Sequence, residues 1–367
     1  MNNTPEVRSY VPSLNGLRAI SIVIVIISHI NDRFFLFQVP FPFTTITDGN
    51  FGVNIFFVIS GFLITTLLIE EENNKGTINL KFFYIRRMFR IFPAYYFLLL
   101  FYFVLQLFQI IHFTTQSWLS SIFYYKYWVP GDYETAHFWS LSIEEHFYLL
   151  WPLFFKLFKK QRLYFALSII LIVFLFRYNS YYDILAYPII KSWVFIFQRV
   201  DAIMIGCLFA MYQKSIMSWL DKGIKLKFVP VFLILMLFLN SEYFVMLSAQ
   251  YKFHLGFLII PLGLGLPIGT ITNVLIAILV LFSISNKNWW YTFLNFPFMN
   301  FIGKLSYSLY LWQQIFLISN KLGVLNKLPI NIFLTIMAAL LSYYFIELPF
   351  LRYKIRFETK NNNIYSV

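Results

Sequence analysis

Runs of about twenty apolar residues recur from one end of this chain to the other. That recurrence limits the possible folds more than any other feature. A helix crossing the hydrocarbon core of a bilayer needs about 20 mostly apolar residues. Ten runs meet or approach that length: 14–31, 51–69, 91–111, 138–155, 163–178, 193–213, 228–240, one within 254–284, 301–320 and 330–350. Of the 367 residues, 59% are hydrophobic and 12% charged. A soluble domain carries about a quarter charged residues, so this chain has too few to coat a water-facing surface. The runs lack the period-two alternation of a membrane β-barrel. With no water in the bilayer core, the backbone must satisfy its own hydrogen bonds within helices. The predicted fold class is therefore all-α, a polytopic membrane bundle of about ten transmembrane helices. The eighth run holds Pro261, Gly263, Gly265, Pro267 and Gly269, which predicts a broken or re-entrant first half.

Charge supplies the orientation. The formal net charge is +13. Place the N-terminus in the cytoplasm, and the inner segments hold twenty Lys and Arg against six in the outer segments. Arg18, Arg177 and Arg199 remain inside or at the edge of helices. Basic residues favour cytoplasmic loops, so both termini are expected there. Nucleic acid is excluded as a partner, because no soluble basic domain exists to hold it. A single cysteine, Cys207, makes neither an internal disulfide nor a Cys-rich metal site. Five scattered histidines show no recurring ligand spacing, so no metal is expected. The polar start, with Glu6 and Arg8, does not read as a cleaved signal peptide. One domain is expected: a cytoplasmic N-terminus over 1–13, a transmembrane domain over 14–350 and a cytoplasmic tail over 351–367.

Polar groups inside membrane helices are costly and are functional candidates by default. The first helix holds Arg18 and His29. Eleven residues separate them by about 16.5 Å along the axis and return them to within roughly 20° of one face. Arginine presents a rigid fork of donors that suits phosphate. Histidine suits proton abstraction near neutral pH. A donor with a phosphorylated head and a long thin arm spans such a pair. A snorkelling arginine and a helix-capping histidine explain the two residues equally well. Arg87 and Arg90, three apart in a basic cluster joining the second and third helices, share a helical face and suit a phosphate or pyrophosphate. A snorkelling basic loop explains them as readily.

The segment opening the fourth run carries His137, Glu144, Glu145 and His146. Carboxylates about two turns into an apolar helix need a cation or imidazole from another helix. Arg199 and Asp201 point to different faces, so each is expected to pair with a different helix, chiefly in a structural ion pair. Ser60 and Gly61 read as small residues that let helices approach closely.

These residues together resemble the acyltransferase-3 family of bacterial integral-membrane O-acyltransferases. The pattern includes Arg18-x10-His29, Phe56-Phe57-x-x-Ser60-Gly61-Phe62 and Arg87-x-x-Arg90 followed by Ile91 and Pro93. It continues with Trp139 to Tyr148 around Glu144, then Arg199-Val-Asp201 with Gly206. Ser306-Tyr307-Ser-Leu-Tyr310-Leu-Trp312 and Ile346-Glu347-Leu-Pro349 complete the order. Many relatives carry Asp where Asn15 stands, and some carry His where Gln313 stands, so the resemblance extends no catalytic role to those two positions. Several relatives also have a C-terminal extracytoplasmic esterase-like domain, and none is expected here after the last apolar run. A stand-alone membrane domain is expected, acting alone or with a separate extracytoplasmic acyltransferase partner.

The resemblance implies acyl-CoA, most simply acetyl-CoA, as donor, and a hydroxyl of a cell-envelope or lipid-linked glycan as acceptor. The setting it implies is multi-pass insertion in a bacterial cytoplasmic membrane. Arg18, Arg87 and Arg90 would bind the donor. His29 would act as general base or carry the acyl group transiently. Glu144, with Glu145 second, would orient the imidazole. Ser60, Gly61, Arg199, Asp201, Ser306, Tyr307, Tyr310 and Glu347 would support the site. The alternative from another class is a transporter or flippase for a glycan or lipid-linked precursor, which shares the buried charges and the broken helix.

Overall fold

The computed structural model describes residues 12–35, 48–129, 131–182, 188–223, 231, 235, 269–285 and 289–353. Among them the secondary structure is entirely helical. In chain order the helices are α1 Pro12–Phe34, α2 Gly49–Lys75, α3 Leu80–Leu107, α4 Thr115–Ile122, α5 Phe138–Leu157, α6 Arg162–Tyr182, α7 Pro188–Met211, α8 Gln213–Gly223, α9 Thr270–Ser285, α10 Trp289–Leu294, α11 Pro297–Gln313 and α12 Ile330–Leu341. The last two continue into π-helical turns, Gln314–Ile318 and Ser342–Glu347.

Among the described residues, four helices are long and apolar enough to cross a membrane: Ser13–Phe34, Gly49–Lys75, Leu80–Leu107 and Ile330–Tyr353. Large apolar side chains stand exposed on them and on their neighbours, including Leu100, Phe103, Leu150, Leu171 and Phe333. Water does not tolerate so much apolar surface, whereas lipid matches it. This is a membrane protein. Apart from residues 231 and 235, the run at 228–240 lies outside the described residues, as do the Pro- and Gly-rich stretch from 254 to 268 and the outer parts of both tails.

The helix boundaries correct the sequence reading at one place. The basic segment around Arg87 and Arg90 is not a connector but the first turns of α3. Asn79 caps that helix, its side chain accepting from the Phe82 amide at 3.2 Å. Gly76, with φ +70° in the left-handed region, ends α2 just before it. A capping Asn and a left-handed Gly confine the turn to a few residues. Both arginines are thereby held on a rigid element.

Close helix approach sets the packing. α2 lies along α7, and a side chain cannot be inserted between them. A Cβ on Gly61 would strike the Ile203 carbonyl, and one on Gly206 would strike the Val58 carbonyl. α1 lies along α11 in the same way, with Gly303 against the Asn15 backbone. α1 also packs against α2, α9 and α10, which makes it the central helix. The ends of α2, α3, α5 and α6 are tied by charge: Arg86 bonds Glu71 at 3.3 Å, Arg162 bonds Glu72 at 2.8 and 3.2 Å, and Lys159 bonds Glu72 at 2.6 Å. On the opposite end, tyrosines of α3 hold the connector before α5. Tyr95 donates to the Ser121 carbonyl at 2.6 Å, and Tyr102 donates to the Glu134 carbonyl at 2.8 Å. Lys126, buried in that connector, bonds Ser117 at 2.6 Å and Asp132 at 3.3 Å. Burial pulls its ammonium below the usual range, and the Asp132 carboxylate opposes the shift.

Because the obstacle at Gly61 is backbone rather than a flexible side chain, Gly61→Ala is expected to destabilise the bundle by about 1–3 kcal/mol. Thermal unfolding of the detergent-solubilised protein measures this. An unchanged midpoint would disprove the close approach of α2 and α7.

Candidate active site

Two polar centres lie at opposite ends of α1. The first gathers Arg18 from α1, Arg87 and Arg90 from α3, Ser60 from α2, Glu144 and Tyr148 from α5, and Glu347 from the π-helical turn after α12. Arg18 interacts electrostatically with Tyr148, Arg87, Glu144 and Glu347. Arg90 does so with Arg18, Arg87, Tyr148 and Glu347. The Arg87 guanidinium lies 3.6 Å from the centre of the Tyr148 ring, a cation–π contact that fixes its plane. Tyr148 donates to Ser60 Oγ at 3.0 Å, and Ser60 donates in turn to Glu144 Oε1 at 2.6 Å. Glu347 accepts from Ser308. The three arginines remain half-buried rather than sealed. Arg18 Nε and Arg87 Nε are buried without a hydrogen-bond partner. Clustered guanidinium groups repel one another in a low dielectric. Phosphate oxygens relieve that repulsion and take up the free donors.

The second centre is a cavity of about 370 Å³ at the other end of the bundle. Its lining includes Ser28, His29, Asp32, Asp48, Trp139 and Tyr310. His29 is half-buried, and its Nδ1 has no hydrogen-bond partner. Gln313 stands beside the ring and His137 is its electrostatic neighbour. The Gln313 amide is itself buried without a partner. Tyr310 ties α11 to α5 here, its hydroxyl 2.6 Å from Ser140 Oγ and 3.1 Å from the His137 carbonyl oxygen. Asp48 caps α2 by accepting from the Asn50 amide at 2.8 Å. Burial raises its carboxyl above the usual range, while the Asn50 amide and the Arg199 charge pull it back.

The structure thus brings Arg18, Arg87, Arg90 and Glu144 together, and it separates Glu144 from His29. Glu144 follows His137 by seven residues, about 10 Å along α5, and its carboxylate is committed to Ser60 and the arginines. The expected contact between Glu144 and the imidazole is therefore replaced by Gln313. Glu145 has Arg87 and Glu144 as electrostatic neighbours and also lies near Tyr95, Tyr96 and Tyr124. Between the two centres α2, α5 and α11 contribute an aromatic layer, with Phe57 packed edge-on to Trp139 and Phe56 to Tyr310.

Arg199 and Asp201 pair with different helices, as their spacing requires. Arg199 donates to Asn50 at 2.8 Å and lies over the Trp139 ring at 4.9 Å. Asp201 is fully buried and accepts both arms of Arg177 at 2.9 Å, with Thr270 adding a third bond at 2.8 Å. Tyr307 donates to the Ile91 carbonyl at 3.0 Å, one turn from the arginine pair, and Ser306 bonds within its own helix. Asn15 faces Asn300 at 3.4 Å, at the α1–α11 contact. Sequence reasoning gave Gln313 no role at the site and did not pair Arg177 with Asp201. A polar residue in an otherwise apolar stretch was the available signal for both. Among the described residues, no group of three or more His, Cys, Asp or Glu could hold a metal.

Comparison with known proteins identifies the family. Residues 11–347 match a family model described as an acyltransferase domain. A protein of Staphylococcus aureus strain COL bearing the name putative O-acetyltransferase is 30% identical over 387 residues, covering 93% of this chain and 57% of the relative. O-acetyltransferase OatA of strain NCTC 8325 is 30% identical over 379 residues, with the same shares of 93% and 57%. The chain thus spans a little over half the length of the curated relatives it matches. No solved structure matches.

Removing the Asp201 carboxylate leaves a guanidinium uncompensated in an apolar interior. Asp201→Leu is expected to cost about 3–5 kcal/mol of stability, and adding Arg177→Met should recover most of the loss. Unfolding midpoints of the single and double variants test this. A double variant no more stable than the single would contradict the pairing.

Proposed function

This chain belongs to the acyltransferase family just described, and on that premise we propose that it is an integral-membrane O-acyltransferase. It moves an acyl group, most simply acetyl, from cytoplasmic acyl-CoA to a hydroxyl of an envelope glycan. The observation that carries this reading is the cluster of Arg18, Arg87 and Arg90, which leaves two buried guanidinium donors without partners. The cluster lies about 16.5 Å along the same helix from an imidazole. Our assignment of about ten spans with both termini inside puts the arginines at the cytoplasmic face and His29 near the outer one. Twenty basic residues inside against six outside support that orientation,. The charge asymmetry and the relatives' bacterial source support the bacterial cytoplasmic membrane as the location.

In this mechanism the arginines bind the donor's phosphates. Ser60, Tyr148 and Glu144 hold Arg87 in register from below, and Glu347 balances Arg18 and Arg90. The donor's arm extends along α1 through the aromatic layer of Phe56, Phe57, Trp139 and Tyr310. At its end the thioester carbonyl meets the acceptor hydroxyl in the outer cavity. His29 takes the hydroxyl proton as the oxygen attacks. The new C–O ester bond forms, the C–S bond breaks, and the CoA thiolate leaves and recovers a proton. Gln313 and His137 position the imidazole.

His29→Ala is expected to lower acyl transfer by about a hundred- to ten-thousandfold while the protein inserts and folds as before. Product formation in vesicles supplied with acetyl-CoA and a glycan acceptor measures it; full activity would remove His29 from the reaction. Arg87→Ala is expected to raise the donor KM by roughly ten- to a hundredfold, the worth of one hydrogen bond to a charged group. An unchanged donor KM would detach the arginine cluster from the donor.

A further inference from the structure

A second, larger concavity opens on the flank of the bundle. This groove of about 540 Å³ runs between α5, α6 and α7, with Trp128 at one end and Phe158 at the other. Its size falls within the range of ligand pockets, about 300–1,000 Å³. Its floor is a stack of rings. Phe154 lies 3.9 Å from Phe165, and Trp151 stacks on Phe147, Phe154 and Phe165 at 6.3, 6.0 and 6.2 Å between centroids. Interlocked rings do not collapse into the space beside them, so the groove is preformed. Its rim is open to the outside, with Leu150 60% and Leu157 61% exposed. From Ile143 to Phe158 it extends about 22 Å along α5, much of a hydrocarbon core about 30 Å thick.

The groove does not stand alone. Trp139, Ile143, His146 and Leu150 are spaced four, three and four residues apart, which puts them on one stripe of α5. Trp139 lines the outer cavity that contains His29, and the other three line the groove. α7 repeats this order: Arg199 sits over Trp139, and Val200, Ile203 and Met204 continue into the groove. A polar chamber and an apolar channel are therefore neighbours along a single helix seam. At their junction Tyr127 and His146 provide a polar pair, with the hydroxyl 3.3 Å from Nδ1.

We infer that the acceptor is an amphiphile, a saccharide carried on a long hydrocarbon chain, whose chain lies in the α5–α6–α7 groove and whose sugar enters the outer cavity beside His29. This inference rests on the proposed acyl transfer and narrows its acceptor. A water-soluble glycan would use the cavity and leave the groove without a purpose. A passing bilayer lipid would fill the groove but has no use for the chamber above it. Only a molecule with both parts uses the whole seam.

The test places the full-length protein in lipid vesicles with acetyl-CoA and two acceptors, a polyprenyl-phosphate-linked saccharide and the same saccharide on a short water-soluble aglycone. Leu150→Trp and Leu153→Trp fill the groove from its exposed rim without burdening the core. Both are expected to raise the KM for the lipid-linked acceptor tenfold or more and to leave the soluble acceptor unchanged. Equal use of the lipid-linked acceptor by wild type and both variants would overturn the inference. In parallel, a polyprenyl phosphate bearing a photoreactive chain should label α5 and α7 in wild type and far less in the variants. Labelling by a photoreactive bilayer phospholipid to the same extent would also overturn it, because the groove would then hold ordinary lipid. If neither acceptor is acylated by wild type but the prenyl probe labels selectively, the acyl-transfer reading has failed and the amphiphile site stands.

Discussion

A guanidinium group cannot be left bare inside an apolar helix bundle, and the architecture of this protein is organised by how its buried arginines are treated. Two treatments coexist. Arg177 is paired in charge: its two terminal nitrogens meet Asp201, and Thr270 adds a third bond to the same carboxylate. Arg18, Arg87 and Arg90 crowd one another beside Glu144, Glu145 and Glu347, and the buried Nε atoms of Arg18 and Arg87 have no hydrogen-bond partner. The first arrangement holds helices together. The second gathers three guanidinium groups with unfilled donors in one place, which suits a polyanionic ligand.

Helix approach and site geometry are linked through adjacent residues. Gly61 brings α2 against the α7 backbone at Ile203, and Gly206 does the same from the other side. With that face of α2 fixed, Ser60 is held toward α5, where it joins Tyr148 to Glu144. The Tyr148 ring then carries Arg87. A chain of contacts therefore runs from a helix-packing glycine to the plane of a guanidinium. α1 performs the comparable task along its length, since one uninterrupted helix carries both Arg18 and His29. Their separation is thus set by helix geometry and not by loop conformation.

α5 serves two environments at once. Glu144 and Tyr148, four apart, face the arginines. Trp139, Ile143, His146 and Leu150 face the cavity beside His29 and the apolar groove. Glu145 lies between Arg87 and the tyrosines of α3 and the connector beyond it. A helix of 20 residues with polar groups on several faces is costly in a membrane, and each face here is met by a different neighbour.

Much of this was legible in the sequence because it depends on spacing along one helix or on composition. Apolar runs announced the helical membrane architecture. The eleven-residue interval put Arg18 and His29 on one stripe. The two-residue interval required Arg199 and Asp201 to find separate partners. What the sequence could not decide was which helices meet, since the same polar residue serves many neighbours equally well in a linear string. It assigned Glu144 to His29, whereas packing of α2 against α5 committed that carboxylate to Ser60 and gave the place beside the imidazole to Gln313, a residue almost 300 positions from His29. The start of α3 was also misjudged, because charged residues interrupt an apolar run without interrupting the helix that Asn79 caps. Residue type and periodicity are local properties, so the chain alone determined its solvent, its helices and its candidate chemistry. Pairing across helices depends on approach distances set by side-chain volume at every contact, and only the tertiary structure decided that.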